Sequence, residues 1–176
     1  YITRLSEDGK GFKISDIEVS YSGDAGLFGT VSSCTVQDLE LVDFVIETSG
    51  SAAGALAGSV TGTSNISGIL VHNRGMGGTD SGKHIIVTEG AGSAGGLVGS
   101  MTGGSVQACA VAVYVKSSGN AGGLIGTTSG VTVDSCYAGG HTQGAKYLTE
   151  VGDDTPGRVN VIGGASAGGL IGRGTH

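Results

Sequence analysis

A chain of 176 residues with a 38% apolar fraction has the length of one ordinary domain and enough apolar surface to bury a core. Its 37 glycines against one proline mean many tight turns rather than a proline-rich linker. Net charge is −6 with no basic stripe to release counterions from phosphates, which excludes nucleic acid as a partner; residues 90–115 are uncharged, but glycine, serine, threonine and glutamine interrupt them, which excludes membrane insertion as a spanning helix.

The first third is acidic, with nine Asp and Glu against three Lys and Arg in residues 1–50, while 51–176 hold six of each. The chain opens on Tyr1 with no visible signal peptide and reads as a fragment of a larger protein. Its first short apolar segment is Ile14-Ile17-Val19: an aliphatic residue, two spacers, an apolar residue, a spacer, another apolar residue. The glycine phrase "DAGLFG" at 24–29 follows. The apolar spacing then returns as Val36-Leu39-Leu41, with Cys34 just before it and a short strand at Val45-Ile46 after it. "SAAGALAG" at 51–58 leads into Ile66-Ile69-Val71, and residues 73–84 are extra to the pattern. Ile85-Ile86-Val87 and "SAGGLVG" at 93–99 resume it. Val106-Cys109-Val111, Tyr114-Val115 and "NAGGLIG" at 120–126 follow without interruption. Val133-Cys136-Ala138 opens the last unit, 139–158 form a second insertion, and Val159-Val161-Ile162 with "SAGGLIG" at 166–172 close it.

The last glycines of the five phrases fall at 29, 58, 99, 126 and 172, in steps of 29, 41, 27 and 46. Each unit holds three short apolar segments without helical periodicity, bounded by glycine and serine, which reads as strands. A repeat of about 20–50 residues signals a solenoid, propeller or array, because one unit cannot bury its apolar face alone. Three strands are too few for a four-stranded blade and suit one turn of a parallel β-helix. The expectation is an all-β, right-handed parallel β-helix, a three-sided solenoid of about five turns stacked about 4.8 Å apart, with residues 1–176 as a single repeat domain. Both insertions then leave one edge, separated by one short turn. The phrase's glycines let the chain round a crowded corner while Leu56, Leu97, Leu124 and Leu170 ladder in the core.

The A-G-G-L-[VI]-G phrase, followed by an apolar strand that carries cysteine in two units, resembles the GLUG-motif repeats of bacterial cell-surface proteins, which also stand beside the catalytic part of some immunoglobulin A-specific metallopeptidases. The resemblance covers most of 12–173, apart from the two insertions; the first copy lacks one glycine. It implies a structural and adhesive, non-catalytic module of a secreted or surface-attached protein in an extracellular setting, with a host surface protein or a glycan as partner. A second implied reading is an accessory domain that positions substrate for a secreted peptidase. A polysaccharide-active enzyme is the third reading, and it requires a convergent acid and base.

Candidate chemistry lies in what does not repeat. "SDIEV" at 15–19 and "QDLEL" at 37–41 align, which stacks Asp16 on Asp38 and Glu18 on Glu40, all outward, with Ile17, Val19, Leu39 and Leu41 inward. Opposed like charges are unfavourable; a calcium ion would neutralise this ladder, and a solvated acidic face would leave it to salt screening. The insertions bring His72, Arg74, His84, His141, Lys146, Tyr147, Asp153, Asp154 and Arg158 to one edge as a ligand-binding candidate. Cys109 and Cys136 share the slot that Ile17, Leu39 and Ile69 hold in other turns, where cysteine serves as a small hydrophobe; stacked positions also permit a disulfide sterically. The spacings of a zinc site are missing. Thr61, Thr102 and Thr127 or Thr128 do not extend into the flat threonine array of an ice-binding solenoid. Cut solenoid ends expose strand edges, so end-to-end association of the fragment is expected.

Overall fold

The computed structural model describes residues 2–4, 12–72, 85–88, 92–139 and 161–175. Apolar residues alternating with polar ones, and broken every few positions by glycine or serine, supply no helical stripe. Every regular element among the described residues is accordingly a strand.

The strands form three sheets. A five-stranded sheet takes Phe28–Ser32, Ala57–Thr61, Val98–Thr102, Ile125–Ser129 and Ile171–Thr175 in sequence order. A four-stranded sheet takes Ala52–Gly54, Ser93–Gly95, Asn120–Gly122 and Ser166–Gly168, also in order. The third, wide sheet collects the strands between them, from Phe12–Tyr21 and Thr35–Thr48 through Asn65–His72 to Val161–Gly163. Pairing is parallel throughout, except that Ile2–Arg4 runs antiparallel to Phe12–Ile14. The chain thus visits the three sheets in rotation.

Coil length follows from the register. Phe28, Ala57, Val98, Ile125 and Ile171 are successive partners on one ladder, separated by 29, 41, 27 and 46 residues. Those are the steps of the glycine phrase, so each phrase marks one coil. Leu56, Leu97 and Leu124 stand one above another, each amide donating to the next coil's leucine carbonyl at 2.8–2.9 Å. They are 0–1% exposed, and Leu170 continues the ladder half-buried. Full burial of each leucine stabilises the fold by about 1.5–3 kcal/mol.

Two corners use left-handed backbone, stacked from coil to coil. One holds Ser33, Gly62, Gly103 and Gly130 at φ 48–72°. The other holds Asp38, Gly68, Ala108 and Ser135 at φ 50–62°. Glycine is at home there, and aspartate and serine tolerate the region by bonding their own backbone. Buried hydroxyls tie coils together at other bends. Thr48 donates to the carbonyl of Gly23 at 2.5 Å and accepts from the Gly50 amide at 2.8 Å, and Ser117 donates to Gly92 at 2.9 Å.

The first coil departs from the alignment expected for 15–19. Ile14 pairs with Leu41, Ile17 with Phe44, Glu18 with Val45 and Val19 with Ile46. The spacing Val36-Leu39-Leu41 recurs at once as Leu41-Phe44-Ile46 inside the long strand Thr35–Thr48, and Ile14-Ile17-Val19 lies on the second copy. Phe44, 1% exposed, presents more apolar area to cover than half-buried Leu39. Ile17 is therefore outside the Cys109 slot, while Leu39, Ile69, Cys109 and Cys136 do share it.

Candidate functional site

Both insertions depart from one row of the wide sheet. His72 is the last residue of its strand before 73–84 and pairs with Ala112. Ala138 pairs with Val111, so Gly139 falls opposite the same Ala112. They return on one row as well, since Ile86 pairs with Val115 and Val115 with Val161. The uninterrupted coil crosses between them through Val113, which is buried. Of the nine ligand-binding candidates, His72 is in place at this edge. Arg74, His84, His141, Lys146, Tyr147, Asp153, Asp154 and Arg158 lie outside the described residues.

His72 meets a carboxylate that the sequence assigned elsewhere. Its Nε2 lies 2.5 Å from Glu40 Oε1, and Lys13 Nζ lies 3.9 Å from the same oxygen. All three side chains are mostly covered, with 16–24% of each exposed. Three neighbouring strands supply them: Phe12–Tyr21, Thr35–Thr48 and Asn65–His72. Glu40 is thus the electrostatic hub at the base of the first insertion.

The calcium ladder of Asp16, Glu18, Asp38 and Glu40 is not assembled. Register places Lys13 beside Glu40 and Val45 beside Glu18, and the pairs on either side of Asp16 set it opposite Asp43. Asp38 falls opposite Gly68, between the pairs Gln37 with Ser67 and Leu39 with Ile69. Ser15 Oγ donates to Asp16 Oδ2 at 2.8 Å. Among the described residues no group of three or more His, Cys, Asp and Glu is arranged to hold a metal ion. The four carboxylates are spread along the strands instead of stacked, and the repulsion that called for a cation is absent between them.

The register also exposes a feature that residue types alone hid. Thr30, Ser59, Ser100, Thr127 and Arg173 form one row across the five-stranded sheet, and Ser32, Thr61, Thr102, Ser129 and Thr175 a second. Beyond the left-handed corner run Thr35, Asn65, Ser105 and Thr132, then Gln37, Ser67, Gln107 and Asp134. Every one of these side chains is half-buried or exposed. The rows hold hydroxyls and amides at intervals of about 4.8 Å between coils and roughly 6.6 Å along each strand. Their two charges, Arg173 and Asp134, stand in the last coil, and no aromatic side chain interrupts them. Thr127 Oγ1 is held 2.6 Å from Ser93 Oγ and accepts from Asn120 Nδ2 at 3.2 Å, and Ser105 Oγ donates to Asn65 Oδ1. The partner of Thr102 is Ser129, not Thr127 or Thr128, so the row is mixed serine and threonine rather than a threonine array.

The cysteines remain thiols. Burial pushes the Cys109 thiol up to about 12, and the neighbouring Cys136 adds to the shift. An open depression lined by Ser20, Tyr21, Ser22, Glu47, Thr48 and Ser49 offers a single carboxylate.

Fold and site together define an all-β protein of parallel strands with a face of hydroxyls and amides whose two charges are Arg173 and Asp134. Comparison with models of protein families, with curated proteins and with solved structures yields no match.

Proposed function

We propose that the chain is a right-handed, three-sided parallel β-helix of GLUG type, a single repeat domain within a larger surface-attached or secreted bacterial protein, and that it is a non-catalytic adhesive module for a neutral glycan. The observation that supports this best is the polar face, in which only Arg173 and Asp134 carry charge. Hydroxyl and amide groups repeat from coil to coil on a frame whose register is fixed by the leucine ladder, which suits a ligand that repeats its own hydroxyls and carries no charge. Catalysis would need a convergent acid and base. A neutral glycan needs only a regular set of donors and acceptors.

The test is a screen of neutral glycans and host surface proteins with three forms of the chain: unaltered, Thr61→Glu with Thr102→Glu, and lacking 140–157. Melting first establishes that all three fold. The expected result is binding of a neutral glycan by the unaltered chain, at least a tenfold loss in the double substitution, and retained binding after the deletion. Loss on deletion alone would move the site to the insertions. Binding of host protein but no glycan would overturn the glycan assignment.

A further inference from the structure

Cys109 and Cys136 belong to adjacent coils, and their neighbours fix them face to face: Gln107 pairs with Asp134 before them and Ala110 with Tyr137 after them. The Tyr137 amide donates to the Cys109 carbonyl at 2.8 Å. Each cysteine follows a left-handed residue, Ala108 at φ 50° and Ser135 at φ 51°, so the two backbones leave this corner alike. In-register parallel strands hold Cα atoms about 4.8 Å apart, inside the roughly 4.4–6.8 Å that a disulfide spans. Cys136 Sγ also leans onto the preceding coil, donating to the Val106 carbonyl at 3.5 Å as well as to Asp134 at 3.2 Å. Cys34 stands apart from this pair, its amide bonded to Ser64 Oγ at 3.4 Å at another corner.

We propose that Cys109 and Cys136 are an oxidation site, closed to a disulfide by a peroxide, that staples the fourth coil to the fifth at the root of the second insertion. Cys136 is the more exposed sulfur and reacts first. Its thiolate displaces hydroxide from hydrogen peroxide and becomes a sulfenic acid. Cys109 sulfur then attacks the Cys136 sulfur, its proton leaves with the sulfenic oxygen as water, and the S–S bond forms. Two thiols are oxidised by two electrons in all, and one peroxide is reduced to two waters. Tyr137, Ala138 and Gly139 run directly from Cys136 into the insertion, so the bond anchors its point of departure. The buried thiol must ionise for the second step, so closure accelerates as pH rises from 7 to 9.

The test treats reduced Cys34→Ser protein with hydrogen peroxide and follows intact mass, peptide maps and melting. Expected are a loss of two mass units, a peptide linking 109 to 136, and a melting temperature higher by roughly 5–10 °C that a dithiol reductant reverses. Cys136→Ser in the same background should show none of these while melting like the reduced protein. Oxidation of Cys136 to sulfinic acid without a cross-link, or two thiols still open to alkylation in folded protein at pH 9, would overturn the proposal. A cross-link with unchanged melting would overturn the staple.

Discussion

Gly123 and Gly169 occupy the same place in successive copies of one phrase, yet their surroundings differ. A β-carbon on Gly123 would overlap the Gly169 carbonyl oxygen and come within 2.8 Å of the Ala138 β-carbon; on Gly169 it would meet nothing within 4 Å. Gly123→Ala should therefore cost about 1–3 kcal/mol, as overpacking does. Gly169→Ala should leave stability unchanged or raise it by about 0.4–1 kcal/mol through the unfolded chain. Urea melts of the two variants check both, and equal losses would mean that the phrase is glycine for some reason other than coil contact. The corner glycines were legible in the sequence because recurrence at one spot implies close approach. The left-handed ladder of Asp38, Gly68, Ala108 and Ser135 was not, because its four occupants share no residue type. Cys109 carries a second residue-scale prediction. Its thiol, raised from 9.0 to about 12, keeps its proton in the folded chain at pH values where the unfolded chain has lost it. The unfolded state then binds fewer protons, and stability falls by up to about 1.4 kcal/mol per pH unit above pH 9. Cys109→Val, which fits a slot shared with Leu39 and Ile69, should flatten that decline in melts between pH 8 and 11.

The strand Thr35–Thr48 shows where local pattern stops determining register. Its sequence holds the same apolar spacing twice, at Val36-Leu39-Leu41 and at Leu41-Phe44-Ile46, and both copies would cover Ile14-Ile17-Val19. Resemblance of "SDIEV" to "QDLEL" favoured the first. Packing selects the second, since Phe44 is nearly fully buried and Ile17 is its partner. Double-mutant cycles read this directly. Ile17→Ala and Phe44→Ala should couple by about 0.5 kcal/mol or more, whereas Ile17→Ala and Leu39→Ala should add within about 0.5 kcal/mol. Phe44→Ala alone should cost about 3–5 kcal/mol. The same offset separates Asp16, Glu18, Asp38 and Glu40 from one another, so melting midpoints with calcium and with chelator should coincide. A rise with calcium would restore a site at Asp16, Glu18, Asp38 and Glu40. The link from His72 to Glu40 rests on a register that the repeated spacing does disclose, Val36-Leu39-Leu41 on Ile66-Ile69-Val71. It stays hidden because residue types assign Glu40 to the acidic ladder and His72 to the insertions, so the two do not read as neighbours.

The repeat steps and the common row from which both insertions depart followed from counting alone, because the same phrase returns at the same place on one ladder. How the two ends behave depends on exposure, which counting does not give. Among the described residues, the large apolar side chains most open to solvent are Phe12, Tyr21 and Phe28 in the first coil and Tyr137 and Ile162 in the last, with none from the coils between. Phe28–Ser32 and Ile171–Thr175 are the two outer strands of the five-stranded sheet. Each edge matches the other as one coil matches the next, so a second copy can continue the parallel ladder. Such a contact joins unlike surfaces and does not close, and it extends instead of stopping at a dimer. Among the described residues, Ile2–Arg4 covers Phe12–Ile14 of the first edge, which weakens the contact without blocking it. Sedimentation velocity of the unaltered chain should show average mass rising with concentration through a series of sizes. Phe28→Lys with Ile162→Lys places charge on both edges and should hold the chain monomeric over the same range. A single dimer species would instead point to a closed contact between like surfaces, and a monomer at every concentration would show that the end coils are already protected.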